Sequence, residues 1–347
     1  MSQHTLKLQE LELILGQTVS GGIVRARHLA NPHVYISGST GSGKSVFLRY
    51  LLGQVMRQEV CCLVLDYSDD FSGYLPPDGI PFYRTSVVDQ SFSTNPLAYG
   101  RRDPARCAQQ LISTLTQVFR MGPKTVLKLL QVTQDYLEAG TEPPTILGLC
   151  RYAESNATSK NGLIPAMEPV ELLAHLIHCG EELISLDLVT PGLRILDFSQ
   201  IQGHQLRKIM LEIVLNVVWM QRCGGTETAR SGTPLLILMD EAQNLVWKEE
   251  SAAVRLLREG RKYDIGGWFC SQWIKDETAA AALRQAALQA HFHPDDTSAT
   301  PLAKMLCADG RDTISVWRQH LQALQVGQFL WLDPKRIPVK VIVPRMS

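Results

Sequence analysis

The sequence predicts an α/β fold with a mainly parallel central sheet and an α-helical insertion. Three observations lead to this prediction: short continuous apolar runs, helical patterns between them, and one long stretch with helical spacing alone. Continuous apolarity is what a strand needs when helices cover both faces of its sheet. The predicted strands are Val34–Ser37, Val60–Asp66, Leu193–Phe198, Leu235–Met239 and Gly267–Gln272, with a last pair at Gln328–Leu332 and Val339–Val343.

Helical patterns separate these strands. Ser45–Arg57 follows the first strand, and Leu206–Arg222 carries recurring apolar pairs that indicate a wide buried face. From about Asp103 to Ile184 the chain has helical spacing only, interrupted at Gly122–Pro123. The expected organisation is a discontinuous core, residues 1–100 and 185–347, around an α-helical insertion subdomain at residues 101–184.

Composition indicates a globular protein. Hydrophobic residues make up 45% of the 347 residues and charged residues 20%, so the chain can bury a full core. Lys+Arg and Asp+Glu are equal at 34 each, and this neutrality neither supports nor excludes nucleic-acid binding. The eight cysteines form no CxxC pair, and no export pattern or run of roughly 20 apolar residues is present. We therefore expect a cytoplasmic protein without a membrane partner.

A phosphate-binding loop is predicted at Gly38–Ser45. Its sequence GSTGSGKS fits GxxxxGK[ST] and lies between the strand HVYIS and a helix, the context that this motif requires. Glycines let the backbone wrap around phosphates, while N–H groups at the helix N-terminus point inward. The alternative, a glycine turn that matches by chance, does not explain why strand, loop and helix are in register.

ATP and Mg²⁺ are the expected cofactors of this loop. Lys44 is expected to neutralise the β- and γ-phosphates, and the Ser45 hydroxyl to bind Mg²⁺. The complete set of expected nucleotide-binding residues is Gly38, Ser39, Thr40, Gly41, Ser42, Gly43, Lys44, Ser45 and Val46.

The segment LLILMDEAQNL, residues 235–245, supplies the second half of such a site. Its apolar start predicts a buried strand with Asp240 at its tip, where the carboxylate can hold the Mg²⁺ shell through water. Glu241 is then placed to polarise the attacking water, which predicts hydrolysis rather than group transfer. The alternative is an ordinary strand end with solvated acids.

Three cations precede the strand in REGRKYDIGGWFCSQ, residues 258–272. Arg258, Arg261 and Lys262 end the helix predicted at Ala252–Lys262, and the strand that follows ends at Gln272. In the commonest arrangement of such NTPases this strand lies between the two nucleotide strands, which makes Gln272 a sensor of the γ-phosphate. Arg261, with Arg258 in reserve, is a candidate finger for a neighbouring subunit's nucleotide, worth ~10³–10⁵ in rate. The alternative is a basic helix end favoured by the helix dipole.

These motifs resemble the HerA/FtsK superfamily of hexameric motor ATPases, most closely its HerA branch. The resemblance covers nearly the whole chain and rests on NPHVYISGSTGSGKS, VLDYSDDF, STNPLAYG, PGLRILDFSQI, LILMDEAQNL and REGRKYDIGGWFCSQ. It implies a RecA-like P-loop NTPase that forms a hexameric ring and moves double-stranded DNA through a central channel. It also favours Arg261 as the finger and Gln272 as the sensor.

The chain departs from the family pattern in two ways. About 33 residues precede the phosphate-loop strand, so we expect no N-terminal β-barrel, and a nuclease or effector partner stays an alternative. Asp264 stands where we expect a glycine. Two other functions remain open: a secretion- or conjugation-type ATPase acting on polypeptide, and an ATP-dependent scaffold ring for an effector protein.

Other polar clusters carry weaker signals. HLIHC would place His175 and Cys179 on one helical face, and HFHPDD groups His291 and His293 with two acids. Zinc needs about four ligands, so we expect core or loop residues in both. The acids of DYSDDF are expected to orient the nucleotide site. Candidates for a DNA channel, or for plain solvated residues, are Lys160, Arg207, Lys208 and Lys335–Arg336.

Overall fold

The computed structural model describes residues 7–140, 143–157, 162–223, 233–272, 276–307, 312–332 and 338–344. Its strands are β1 Leu13–Thr18, β2 Ile23–Ala26, β3 Val34–Ser37, β4 Cys61–Asp66, β5 Phe82–Ser86, β6 Gly192–Asp197, β7 Leu235–Met239, β8 Ile265–Ser271, β9 Leu288–Phe292, β10 Gln328–Leu332 and β11 Pro338–Ile342. They form one sheet in the order β2-β1-β11-β10-β9-β3-β8-β7-β4-β6-β5.

The sheet is parallel from β9 to β5 and antiparallel from β9 to β2. Strands β3, β4, β6, β7 and β8 are buried along their whole length, as their continuous apolarity predicted. Because the strands are parallel, their carboxyl ends meet at one edge of the sheet. The predicted α/β fold, with a mainly parallel central sheet and helical insertion, is confirmed.

Ten α-helices accompany this sheet in the described part of the chain. They are α1 Lys44–Met56, α2 Pro104–Val118, α3 Pro123–Ala139, α4 Ile146–Asn156, α5 Leu163–Ala174, α6 His204–Cys223, α7 Ala252–Glu259, α8 Glu277–Leu283, α9 Asp296–Cys307 and α10 Ile314–Gln322. No helix among the described residues has both the length and the apolar character needed to cross a bilayer.

Both faces of the parallel strands are covered by apolar side chains. On β4, Cys62 and Val64 join the cluster that contains α1, whereas Leu63 and Leu65 join the cluster that contains α6. Successive side chains of a strand point to opposite faces, so neither face of β4 can carry polar groups. The charged side chain of β4, Asp66, is accordingly the last residue of the strand.

Helices α2 to α5 lie within the stretch predicted as an insertion. Pro123 is the first residue of α3, a position where its missing N–H costs no hydrogen bond. The apolar side chains of these helices belong to the same cluster as α6 and the adjacent sheet face. The insertion therefore packs on the core, and its division from the core at residues 101 and 184 stays a prediction.

Several elements were not predicted from the sequence, among them β1, β2, β5, β9 and α8 to α10. Strand β9 was missed because it buries two polar side chains, Gln289 and His291. Gln289 Nε2 donates to the Arg284 carbonyl oxygen at 2.9 Å, and His291 Nδ1 lies 2.8 Å from Ser37 Oγ. In the edge strand β5, Phe82 and Tyr83 are 41% and 40% exposed, so the strand lacks a continuous buried pattern.

Two helical predictions are corrected. The helix expected at Ala252–Lys262 ends at Glu259, and a 3₁₀ turn, Gly260–Tyr263, carries the chain to β8. Helix α5 ends at Ala174, so HLIHC does not form a helical face. His175 is the residue that follows the helix, and Cys179 lies in irregular chain.

Asp264 occupies a position where the backbone conformation favours glycine. Its φ of 53° and ψ of 44° are left-handed, a region that Asp tolerates better than most side chains. Its Oδ1 accepts a hydrogen bond from the Leu8 N–H at 3.1 Å. Burial raises the pKa of Asp264, while the Leu8 bond and the Arg222 guanidinium oppose that shift. The side chain thus fastens the N-terminal segment to the turn before β8.

We expect Asp264→Val to lower the free energy of unfolding by about 2–4 kcal/mol, since a β-branched residue is strained at this φ and cannot accept the Leu8 bond. Asp264→Asn keeps an acceptor and tolerates the conformation, so its stability should stay within about 1 kcal/mol of wild type. Urea denaturation of both variants measures this difference. Equal stability of the Val and Asn variants would contradict the assigned role.

Candidate nucleotide site

The loop between β3 and α1 has the backbone geometry of a phosphate cradle. Gly38, Gly41 and Gly43 have φ of 154°, 76° and 108°, a region that glycine adopts without strain. A Cβ on Gly38 would lie 2.6 Å from the Cβ of Phe292, and one on Gly43 would lie 3.2 Å from the backbone of Gly327. Conformation therefore favours glycine at all three positions, and close packing favours it at Gly38 and Gly43 as well.

The loop is held by backbone groups from the antiparallel side of the sheet. Ser39 donates from both its N–H and its Oγ to the His293 carbonyl oxygen, each at 2.8 Å. The Gly327 N–H donates to the Ser42 carbonyl oxygen at 2.9 Å. Within the loop, Ser42 Oγ donates to the Ser39 carbonyl oxygen at 2.7 Å. These bonds fix the loop from both of its flanks.

Lys44 begins helix α1 and is only 9% exposed. Its Nζ donates to the Ser39 carbonyl oxygen at 2.7 Å, so the ammonium lies against the loop. Burial lowers the pKa of Lys44, and the carboxylates of Glu241 and Asp70 work against that shift. Ser45, the next residue, is half-buried, and Thr40, Gly41 and Val46 are exposed.

Two carboxylates follow strand β7. Asp240 is 3% exposed; the Tyr67 N–H donates to its Oδ1 at 3.4 Å, and its Oδ2 has no hydrogen-bond partner within the described residues. Burial raises the pKa of Asp240 well above its ordinary value, and the nearby Asp66 adds to the shift. Burial also raises the pKa of the half-buried Glu241, against the effects of the Gln243 hydrogen bond and Lys44.

The donor set at this edge suits Mg²⁺ held jointly with phosphates. The buried, unpartnered Oδ2 of Asp240 and the hydroxyl of Ser45 are hard oxygen ligands of the type that Mg²⁺ prefers. Mg²⁺ commonly takes one or two carboxylates and completes its shell with water and substrate phosphates. Across the described ranges no group of three or more His, Cys, Asp or Glu side chains is arranged to hold a metal by itself.

Strand β8 lies between β3 and β7, as predicted. Ser271 pairs with Ser37, and its carbonyl oxygen accepts from the Gly38 N–H at 3.3 Å. Gln272, which follows Ser271 and is exposed, is therefore at the same edge as the phosphate loop. The structure thus brings Lys44, Asp240, Glu241 and Gln272 to one edge of the sheet.

Arg261 lies at the opposite edge. It precedes β8, whose seven residues, at roughly 3.3 Å each, place it about 20 Å from the phosphate loop of its own chain. Arg258 pairs with Glu249 at 3.3 Å, and Lys262 approaches Glu259 at 3.9 Å. Arg261 is exposed and makes no ion pair with any described residue.

A cluster of charges around Arg84 was not predicted from the sequence. Asp66, 0% exposed, lies 3.7 Å from the Arg84 guanidinium, with Asp197 at 3.6 Å and Asp69 at 2.5 Å. Burial raises the pKa of Asp66 to about 6. The acids follow or end apolar strands, which was visible in VLDYSDDF and RILDF. Their meeting with Arg84 depends on the strand order β4-β6-β5, which no local pattern shows.

The other residues that the sequence suggested for a DNA channel or a metal site are wholly or partly buried in structural contacts or lie outside the described residues. The Arg207 guanidinium lies 4.5 Å from the Tyr67 ring and donates to the carbonyl oxygens of Tyr67, Ser199 and Ile201. It is therefore a structural residue rather than a channel lining or a solvated side chain. Lys208 is half-buried. Lys160, Lys335 and Arg336 are outside the described residues. His291 is buried beside Ser37, as expected of a core residue.

Fold and loop together define the class of this protein: it is a RecA-like P-loop NTPase by structure. Residues 15–177 match the family model described as "Helicase HerA, central domain". This match and the fold confirm the resemblance to the HerA/FtsK superfamily. Comparison with curated protein sequences gives no match.

Solved structures support the fold over the whole chain. VirB4 of Thermoanaerobacter pseudethanolicus superposes with a TM-score of 0.75 at 15% identity, covering 96% of each chain. The bacterial conjugative coupling protein TrwB, in an unbound form, gives 0.65 at 16% identity over 98% of this chain and 91% of TrwB. The plasmid coupling protein TrwB with the non-hydrolysable GTP analogue GDPNP gives 0.60 at 15% identity over 100% and 93%. At these identities the likeness establishes the fold.

Proposed function

We propose that this protein is an ATP-hydrolysing ring motor of the HerA, VirB4 and TrwB type that moves along double-stranded DNA. One observation carries the catalytic half of the proposal: the ends of β3, β7 and β8 bring Lys44, Asp240, Glu241 and Gln272 to one edge of the sheet. The ring and the DNA track rest on the family match and on the position of Arg261.

Nucleotide binding follows from the loop geometry. The N–H groups at the start of α1 face the phosphates, and Lys44 supplies a positive charge that is already partly desolvated. Ser45 and Asp240 would hold Mg²⁺, which would neutralise charge on the phosphate oxygens. A solved protein of the same fold, TrwB, was crystallised with a GTP analogue, which supports a nucleoside triphosphate ligand.

Hydrolysis is assigned to Glu241 and Gln272. Glu241 is half-buried and its pKa is raised by burial, which makes its carboxylate a stronger proton acceptor than a solvated one. Gln272 follows β8 at the same edge and is exposed, so its amide can contact the γ-phosphate or the attacking water. Asp240 is too deeply buried to serve as a second base, and its unpartnered oxygen is better suited to the metal shell.

Arg261 is proposed to act on the neighbouring subunit. It is exposed, about 20 Å from its own phosphate loop, and unpaired among the described residues, whereas Arg258 and Lys262 each have a carboxylate nearby. A guanidinium so placed cannot reach its own nucleotide. In a hexameric ring, the proposed target of Arg261 is the ATP bound to the next protomer.

Double-stranded DNA is the proposed track. The family model is that of a helicase domain, and one structural relative is described as a plasmid coupling protein. A nuclease or effector protein is a candidate partner of such a ring. The two competing functions, polypeptide transport and an ATP-dependent scaffold, differ in one measurable respect, because neither requires that duplex DNA stimulate hydrolysis.

Lys44→Ala and Glu241→Gln should separate binding from chemistry. The lysine stabilises ground-state phosphates, so its loss should weaken affinity for a fluorescent ATP analogue by at least about tenfold. The glutamate acts on water in the transition state, so its loss should lower kcat by about 10²–10⁴ while affinity changes little. Phosphate release and fluorescence titration measure the two quantities, with ATP and GTP compared. Wild-type turnover in Glu241→Gln would show that another group is the base.

DNA binding should be electrostatic and independent of sequence, because a moving ring grips phosphates at every step. If six or more phosphates are contacted, affinity should fall by about 10³ or more between 50 and 200 mM salt. Fluorescence anisotropy on unrelated duplexes, with an ATP analogue present, tests this. A strong preference for one sequence, or no binding at low salt, would remove DNA from the proposal.

Mixing two inactive variants tests Arg261 in trans. Arg261→Ala keeps its phosphate loop and Lys44→Ala keeps its arginine, so mixed rings contain some interfaces with both groups intact. ATPase activity of the mixture should exceed that of either variant alone, and Lys262→Ala, on the same turn, serves as the matched control with near wild-type activity. Full activity of Arg261→Ala alone would show that Arg261 is not the finger, and Arg258 would be the next candidate.

A further inference from the structure

Glu241 is not a free carboxylate: the side chain of Gln243 holds it. Gln243 Nε2 donates a hydrogen bond to Glu241 Oε2. The other end of the amide, Gln243 Oε1, is buried and has no partner among the described residues. A buried amide with one unsatisfied end is costly, so its retention beside the candidate base needs an explanation.

The restraint comes from a short, well-fixed turn. Residues Ala242–Asn244 form a 3₁₀ turn in which the Asn244 N–H donates to the Glu241 carbonyl oxygen at 2.9 Å. Ala242 is fully buried, and Trp247 Nε1 donates to its carbonyl oxygen at 2.8 Å. The Trp247 ring meets Phe269 of β8 edge-on, at 5.7 Å between centroids. The turn that carries Gln243 is thus held in place by contacts of Trp247 with Ala242 and with strand β8.

The same segment reaches the helical insertion. The exposed Lys248 donates from Nζ to the Thr116 carbonyl oxygen at 3.2 Å. Thr116 lies in the last turn of α2, where carbonyl oxygens lack helical partners and a cation is favoured by the helix dipole. Residues 241–248 therefore connect the candidate base, at one end, to the insertion at the other.

A general base must present a free oxygen to the attacking water. The hydrogen bond from Gln243 occupies one oxygen of Glu241 and orients the carboxylate towards the 3₁₀ turn. Lys44 attracts the same carboxylate from the side of the phosphate loop. Glu241 is therefore subject to two competing interactions, of which only Gln243 belongs to the segment tied to the insertion.

We propose that Gln243 is a positioning residue that restrains Glu241 from the attacking water, and that the contact between Lys248 and Thr116 makes this restraint responsive to the insertion. The proposal rests on the assignment of Glu241 as the base. A phosphate backbone competes with the Thr116 carbonyl for the exposed Lys248 ammonium, so duplex DNA would loosen the 241–248 segment and release Glu241. Hydrolysis is thereby kept slow until the track is engaged.

Gln243→Met tests the restraint, because methionine keeps the length of the side chain and removes the donor. Basal kcat without DNA should rise by about 3- to 10-fold, while KM for ATP stays within about twofold and the stimulation by DNA shrinks. Gln243→Ala should act in the same direction. Asn244→Ala is the matched control, since it removes an amide from the same turn whose side chain makes no hydrogen bond to any described residue.

The outcomes are distinguishable from failure of the proposed function. Glu241→Gln in the wild-type background tests the base alone, whereas the double variant Gln243→Met/Glu241→Gln must stay inactive if the gain acts through Glu241. A lower basal kcat in Gln243→Met would show that Gln243 assists the base, and an unchanged basal kcat with intact stimulation would show no restraint; either overturns the proposal.

Hydrogen exchange supplies a measurement that does not depend on turnover. Amide exchange in residues 241–248 should become faster when duplex DNA binds, and Lys248→Met should show the faster exchange without DNA. Lys262→Met, an exposed lysine at the opposite edge of the sheet, is the matched control and should leave exchange in this segment unchanged. Equal protection of residues 241–248 with and without bound DNA would contradict the coupling.

Discussion

Burial of both faces of the parallel strands is the constraint on which the rest of the structure depends. Helix α1 and helix α6 cover opposite faces of β4 and its neighbours. A polar side chain of these strands must therefore be buried with a partner, as Arg194 of β6 is with Asp187 at 2.9 Å, or stand at a strand end. Asp66, Asp197, Asp240 and Gln272 all stand at such ends or directly after them. The location of the candidate site is thus a consequence of core packing. Its charged and amide side chains lie at the carboxyl ends of the parallel strands, where apolar burial ends.

Desolvated charge is the second shared feature of that edge. Lys44, Asp66 and Asp240 are each at least 90% buried, and the pKa of each is shifted towards the neutral form by burial. Charges in such surroundings interact more strongly than in water. Asp66 already has Arg84 nearby, whereas Asp240 Oδ2 has no partner within the described residues and is costly to bury. Under the proposed function, a nucleotide with Mg²⁺ would supply opposite charges to both the lysine and the carboxylates. Part of the binding energy would therefore come from relieving a penalty that folding has already imposed.

Much of this arrangement was predictable from local sequence, and the rest was not for identifiable reasons. The phosphate loop, the strand tip at Asp240 and the central place of β8 follow from motifs in which a few residues fix the backbone. Gln289 and His291 concealed β9, because their burial is compensated by hydrogen bonds that only the folded chain supplies. Gln243 is part of the motif DEAQNL, but no sequence pattern predicts that its amide would hydrogen-bond to Glu241. The Arg84 cluster joins the middle of β5 to the ends of β4 and β6, and these three strands are far apart in sequence.

Asp264 has a consequence for chain entropy. A glycine at its left-handed φ would enlarge the set of conformations open to the unfolded chain and to the turn itself, whereas aspartate samples fewer. The hydrogen bond between the Asp264 side chain and the Leu8 N–H further limits the conformations of this turn in the folded state. The turn of Gly260–Tyr263 is therefore connected to the sheet through a comparatively rigid joint. Under the role proposed for Arg261, this joint would reduce the conformational freedom that the arginine loses on contact with the neighbouring subunit.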